Sequence, residues 1–243
     1  MPGIAIFDLD GTITRSDTLQ HYIAGFLLQR RPARLWRLPL CLLPLLRFCV
    51  DGGDRGRLKS GVIRLTLGGL PRAELESWNC VFVARLLDGG VYAEALQQIG
   101  EQRAAGARLV LLSASPDLYV PAIGVALGFD ATICTELRWH ADGRLHGALN
   151  SANRRGEEKV RCVRTLLREP ATAHDSAHDT PHNTARSVAY GNSRADLPHL
   201  RLVSEGVYVN GSARDLDGSG NIRVVRWRTA AVALGPTHDH TDR

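Results

Sequence analysis

Apolar residues along this chain follow two rhythms. Short unbroken runs of aliphatic and β-branched residues alternate with longer stretches in which apolar positions recur every three or four residues. The first kind predicts strands buried on both faces, the second predicts helices with one buried stripe. Ile4 to Phe7 is the first short run. Arg108 to Leu112, Ala131 to Leu137 and Ser187 to Tyr190 follow, with late strands at Val207 to Asn210 and Ile222 to Trp227. A helical pattern runs from Asp17 to about Leu46 and is broken at Pro32, Pro39 and Pro44. Further helices are predicted over Arg57 to Leu67, stopped by Gly68-Gly69, over Pro71 to Leu87, and over Val91 to Ala105, ended by Gly106. Another follows Asp117 and ends near Leu127, and the last spans Glu157 to Leu167. Asp51-Gly52-Gly53-Asp54 reads as a turn, and Asp142-Gly143 within Trp139 to Leu149 reads as a hairpin.

Strand and helix alternate after residue 91. That order predicts an α/β protein with a Rossmann-like, three-layer core, its parallel sheet covered by helices on both faces. The helices near residues 15–90 form an insertion after the first strand. Residues 173–184 read A-H-D-S, A-H-D-T, P-H-N-T and place His174, His178 and His182 four apart. A continuous helix would align them as metal ligands. The segment is polar, contains Pro181 and has no apolar face, so a solvated low-complexity loop over 171–186 is the expectation. The tail 235–243, with His238-Asp239-His240, is expected to be disordered.

Composition narrows the picture. The chain has 243 residues, 44% of them hydrophobic and 23% charged, which excludes a wholly disordered or collagenous chain. Its five cysteines are scattered, with no C-x-x-C pair, which argues against a zinc ribbon or disulfide framework and for a reducing compartment. The N-terminus carries no basic-then-apolar leader, and the longest apolar run, Leu38 to Leu46, is nine residues. A membrane span needs about 20. A cytoplasmic location is therefore expected. The net charge of +5 is unevenly spread: His21 to Leu70 holds nine basic and two acidic residues, leaving −2 for the rest. This basic, leucine-rich stretch predicts either a helical subdomain with a solvated arginine face or a surface for an anionic membrane or substrate. Nucleic acid is disfavoured, because only 6% of residues are aromatic and the bases alternate with Leu and Pro.

Four pieces carry chemistry, each at the carboxyl end of a predicted strand or the start of a nearby helix. Asp8-Leu9-Asp10-Gly11-Thr12-Ile13-Thr14 sets two carboxylates one residue apart, after a buried strand. Such a pair is costly unless used, and it suits a nucleophile with a partner for proton transfer. Ser113 follows the second strand where backbone N–H groups turn into a helix, an anion-binding arrangement. Lys159 lies near a helix start and can reach a phosphate oxygen or an aspartate. Gly191-Asn192-Ser193-Arg194-Ala195-Asp196 offers hard oxygen ligands suited to Mg²⁺.

In this order the four pieces resemble the haloacid dehalogenase superfamily of phosphotransferases, over residues 4 to about 210. The insertion, together with L-x-S-A-S-P-D-L-Y and G-x-x-K-V, resembles the phosphoserine-phosphatase-like branch, subfamily IB. The resemblance implies a core domain of 1–14 and 91–230 beneath a helical cap of 15–90. It implies that Asp8 forms an aspartyl-phosphate. Asp10 would protonate the leaving oxygen and then activate water, and its carbonyl would bind metal. Thr12 would support Asp10 and, with Ser113 and Lys159, form the phosphate site. Asp8, Asp10, Asn192 and Asp196 would hold Mg²⁺, directly or through water. Many family members carry Asp where this chain has Asn192, so weaker metal binding is expected. The run R-R-P-x-x-L-x-x-L-P-L-x-L-L-P-L-L resembles the cap of phosphatidylglycerophosphate phosphatases. It implies a lipid phosphate substrate and peripheral contact with the inner membrane face, with Arg30, Arg31, Arg34 and Arg37 toward anionic lipid. A soluble small-metabolite phosphatase and a catalytically weak phosphate-binding protein stand as alternatives.

Overall fold

A computed structural model describes residues 3–50, 52–168, 186–216, 218 and 220–228. The His174, His178 and His182 repeat and the tail 235–243 lie outside the described residues. Six strands form one parallel sheet: β1 (Ile4–Phe7), β2 (Arg108–Pro116), β3 (Ala131–Thr135), β6 (Ser187–Gly191), β7 (Glu205–Val209) and β8 (Ile222–Val225). Their order is β3-β2-β1-β6-β7-β8. The first strand sits in the middle, and the chain winds outward to one side and then to the other. The carboxyl edge beside β1 is therefore the switch point at which such sheets bind ligands.

Alternate side chains of the buried strands enter separate cores. Ala5, Phe7, Leu109, Leu111, Val188 and Tyr190 pack on one face with α5 (Ala93–Ala104) and α6 (Val120–Ala126). Ile6, Val110, Leu112 and Ala189 pack on the other with α7 (Glu157–Arg168) and α8 (Leu197–Leu200). This is the expected three-layer α/β architecture. The period of two in a parallel strand, apolar on both sides, is what sorts the residues.

Between β1 and β2 the chain forms α1 (Thr18–Arg30), a 3-10 segment (Pro32–Cys41), α2 (Leu42–Val50), α3 (Arg55–Leu67) and α4 (Arg72–Leu87). Asp17 caps α1, its carboxylate accepting from the backbone N–H of Leu19 and Gln20 at 2.9 and 3.3 Å. A hairpin of β4 (Leu137–Trp139) and β5 (Leu145–Leu149) packs on α3. Gly147 permits this approach: at φ +86° a Cβ there would stand 2.9 Å from the Arg64 Cα.

Three expectations change. The third strand was expected to run to Leu137 but stops at Thr135. Asp117 intervenes, its N–H donating to the Thr135 carbonyl (2.8 Å) and its carboxylate accepting from the Leu137 N–H (3.0 Å), and Leu137 starts the hairpin instead. The proline-broken helix becomes a 3-10 turn plus α2, since Pro39 and Pro44 cannot donate to an α-helical ladder. The arginines assigned to lipid are mostly used internally. Arg31 makes a two-pronged pair with Glu74, both contacts 2.6 Å. Arg34 donates to the carbonyls of Thr66 (3.2 Å) and Gly68 (3.1 Å), and Arg37 to that of Leu65 (3.4 Å). These two occupy carbonyls at the C-terminus of α3, where a cation is favoured. Trp36, Leu42, Leu43 and Leu46 are each more than half exposed. No helix among the described residues is long and apolar enough to cross a membrane.

Candidate active site

Asp8 and Asp10 leave the end of β1 at the switch point. Asp8 is held at both oxygens: Lys159 Nζ, from the first turn of α7, donates to Oδ1 at 2.6 Å, and Thr12 Oγ1 donates to Oδ2 at 3.2 Å. The same ammonium donates to Asp196 Oδ1 at 2.7 Å, while Ser193 binds Oδ2 through its N–H (3.0 Å) and hydroxyl (2.6 Å). All three charged groups are buried. Burial pushes the Asp8 carboxyl up to about 7, with Lys159 pulling it down and Asp196 and Asp10 adding to the rise. Asp196 is also desolvated, but Lys159 and the Ser193 bonds outweigh this and hold it well below the usual carboxylate range. Lys159 stays firmly protonated: burial alone would lower it, and the two aspartates raise it instead.

Asp10 is aimed by a second set of donors. The N–H and hydroxyl of Thr18, the first residue of α1, reach Oδ1 at 2.7 and 2.6 Å. Ser115 Oγ reaches Oδ2 at 2.6 Å. Burial raises its pKa against these hydrogen bonds. Tyr119 backs the arrangement, its hydroxyl 3.0 Å from that of Thr18. This corrects the expectation for Thr12, which supports Asp8 while Thr18 and Ser115 support Asp10. The reason is geometric: the turn after Gly11 brings Thr12 back over Asp8, as its N–H bonds the Leu9 carbonyl at 3.2 Å.

Ser113 does not follow β2 as expected but lies within it, because the strand runs on to Pro116 and the next helix starts only at Val120; it is fully buried, its hydroxyl accepting from the Ser115 N–H at 3.0 Å. Asn192 lies against the Asp8–Thr12 loop. A Cβ on Gly11 (φ +76°) would stand 2.0 Å from its Nδ2, so this position requires glycine for both space and backbone. The fold thus gathers Asp8, Asp10, Thr12, Ser113, Lys159, Asn192 and Asp196 at one sheet edge.

Sequence reasoning missed Thr18, Ser115, Tyr119, His199 and Lys59. Ser115 had a signal, since it stands two residues from Ser113 on an extended segment and shares its face. His199 is buried, and desolvation pushes it down to about 3, leaving a neutral ring whose Nδ1 is 3.9 Å from Asp196 Oδ1. Lys59 comes from α3 in the insertion and donates to the Ala114 carbonyl and to Asn153 Oδ1 (2.9 Å).

The donors fit a hard divalent cation. Two buried carboxylates, Asp8 and Asp196, share one lysine, with the half-buried Asp10 beside them, so the site is short of positive charge, and the carboxyl and carboxamide oxygens suit Mg²⁺. Among the described residues no three His, Cys, Asp or Glu side chains converge as a ready-made cage. Asn192 and a main-chain carbonyl would have to complete the ligand set.

An α/β sheet with paired aspartates beyond its first strand, a lysine across from them and a helical insertion defines a class of hydrolase. The chain belongs to the haloacid dehalogenase-like hydrolase family, whose sequence model matches residues 5–201. It is 33% identical over 208 residues to Protein CicA of Caulobacter vibrioides, covering 85% of this chain and 86% of that one. Among solved structures it resembles a Bordetella pertussis protein of unknown function (TM-score 0.72, 22% identity, 93% of this chain and 98% of that one). It also shares the fold of an apo phosphoserine phosphatase (TM-score 0.60, 16% identity, 93% and 94%).

Proposed function

We propose that this protein is a Mg²⁺-dependent phosphomonoester hydrolase that works through an aspartyl-phosphate on Asp8. The observation that supports this most is the Lys159 bridge between Asp8 and Asp196, set beside a separately oriented Asp10. An Asp8 oxygen attacks phosphorus and the ester P–O bond breaks. Asp10, whose burial favours retention of a proton, delivers it to the leaving oxygen. Asp10 then takes a proton from water, which attacks the acyl phosphate, releases inorganic phosphate and restores Asp8. Ser113, Thr12 and Lys159 orient the phosphoryl group and offset its charge. Bound through Asp8, the Asp10 carbonyl, Asn192 and Asp196, Mg²⁺ would neutralise charge on the transferring group.

In this reading residues 15–90 cap a core of 1–14 and 91–230, and the substrate is a lipid phosphate met at the cytoplasmic membrane face. The exposed leucines of α2 support that choice, since a buried cap core would hide them. The test is p-nitrophenyl phosphate turnover with Mg²⁺ and with EDTA. Asp8→Asn should lower kcat by roughly a thousandfold or more while keeping the native circular dichroism spectrum. Retained turnover in that variant would refute the mechanism.

A further inference from the structure

Asp10 is held by two hydroxyls that share a third as neighbour. Thr18 Oγ1 is 2.6 Å from Asp10 Oδ1, and Ser115 Oγ is 2.6 Å from Oδ2. Each hydroxyl has one proton and gives it to the carboxylate, so only lone pairs remain for other partners. The Tyr119 hydroxyl lies 3.0 Å from Thr18 Oγ1 and has Ser115 as its other hydrogen-bonding neighbour. It is therefore the donor toward both. Tyr119 is fully buried, and desolvation, with the charge of Asp10 behind it, holds its pKa well above the ordinary value, so the donor proton stays in place. The two oxygens of Asp10 are not equivalent. Oδ1 takes two donors, the N–H (2.7 Å) and the hydroxyl of Thr18, while Oδ2 takes Ser115 alone among the described residues. Oδ2 keeps a lone pair for a proton that can be passed on.

The helical insertion fixes Tyr119 from two sides. Its ring stacks on Tyr22 of α1 (centroids 4.7 Å apart, planes at 23°) and meets Phe82 of α4 edge-on at 5.3 Å. The Tyr22 hydroxyl donates to Asn79 Oδ1 (2.8 Å), and Asn79 Nδ2 donates to the carbonyl of Leu118 (2.7 Å), next to Tyr119 in the chain. Ring and backbone are both anchored, so the phenol oxygen has a fixed place between Thr18 and Ser115.

We propose that Tyr119 is a positioning residue for acid catalysis: by donating to Thr18 and Ser115 it keeps their protons turned toward Asp10 and leaves Oδ2 as the oxygen that protonates the leaving group. The inference rests on the hydrolase reading and adds to it a residue that lies outside the four motifs. Tyr119 acts through the two hydroxyls and not on the substrate. Its loss costs only part of the acid function, because the Thr18 N–H still holds Oδ1.

The experiment compares phenyl phosphate, whose leaving oxygen needs a proton, with p-nitrophenyl phosphate, whose leaving group departs as a stable anion. Tyr119→Phe keeps the ring contacts and removes only the donor. Its kcat/KM, which reports the step that breaks the ester bond, should fall roughly tenfold for phenyl phosphate and less than about twofold for p-nitrophenyl phosphate. A loss of the same size on both substrates marks a structural role, and no loss on either marks none; both overturn the proposal. Absence of turnover of either phosphate by the wild type refutes the hydrolase reading and with it the catalytic role of Tyr119. A second readout needs no turnover. In protein with tyrosine isotope-labelled at Cζ, the NMR signal missing from Tyr119→Phe belongs to Tyr119, and it should shift in Thr18→Val and in Ser115→Ala. A shift in both variants supports the hydroxyl cluster whatever the reaction, and an unmoved signal in both overturns it.

Discussion

Lys59 is a cation held where burial works against its charge. Desolvation lowers its pKa to about 8, while Asp10 and Asp17 support the protonated form and Arg155 opposes it. The ammonium is present below that value and lost above it. Binding of an anionic substrate should weaken accordingly: KM rises as pH goes from 7 to 9, and the rise disappears in Lys59→Gln. A KM flat across that range in the wild type would remove Lys59 from substrate binding. Stability carries the opposite sign. The folded pKa lies below the ordinary value of 10.5, so the native state binds fewer protons between pH 8 and 10.5 and gains stability across that window. At this scale, motif order made Asp8, Asp10, Ser113, Lys159, Asn192 and Asp196 visible in the sequence. Thr18 and Lys59 were not, and Ser115 only through its spacing from Ser113, because each becomes a site residue through a partner brought in by folding. Ser115 meets a carboxylate 105 positions away, and Lys59 a carbonyl 55 positions away.

Among the elements, α3 shows how the basic insertion is used. Its last carbonyls would be unsatisfied, and Arg34 and Arg37 reach them from the 3-10 segment. Arg34→Ala should therefore cost about 1–2 kcal/mol, read as a lower Tm, with Arg34→Lys intermediate. An unchanged Tm would mean that solvent satisfies those carbonyls equally well. Helix extents were legible from their periodicity and from glycine stops such as Gly68 and Gly106, and the strands from their apolar runs. The end of β3 was not, because Asp117 stops it from another part of the chain. Composition counted the arginines of the insertion correctly, but pairing determines which of them face solvent, and pairing depends on where Glu74 and the α3 carbonyls lie.

For the whole molecule, the exposed face of α2 is the surface offered to an external partner. Trp36, Leu42, Leu43 and Leu46 stand outward beside Arg47. Substituting Leu42→Glu and Leu46→Glu should reduce sedimentation with anionic vesicles at low salt at least about fivefold, since it removes apolar burial and adds repulsion. Both positions are exposed, so the melting curve should not move. Equal sedimentation of the variant, or none by the wild type, would exclude the membrane reading. The sequence by itself determined the layered α/β class and the chemistry-bearing motifs, because strand periodicity and residue type are local properties. Tertiary structure alone decided which donors aim each aspartate and which arginines are satisfied. Hydrogen bonds, burial and charge pairing depend on distances between segments that only folding sets.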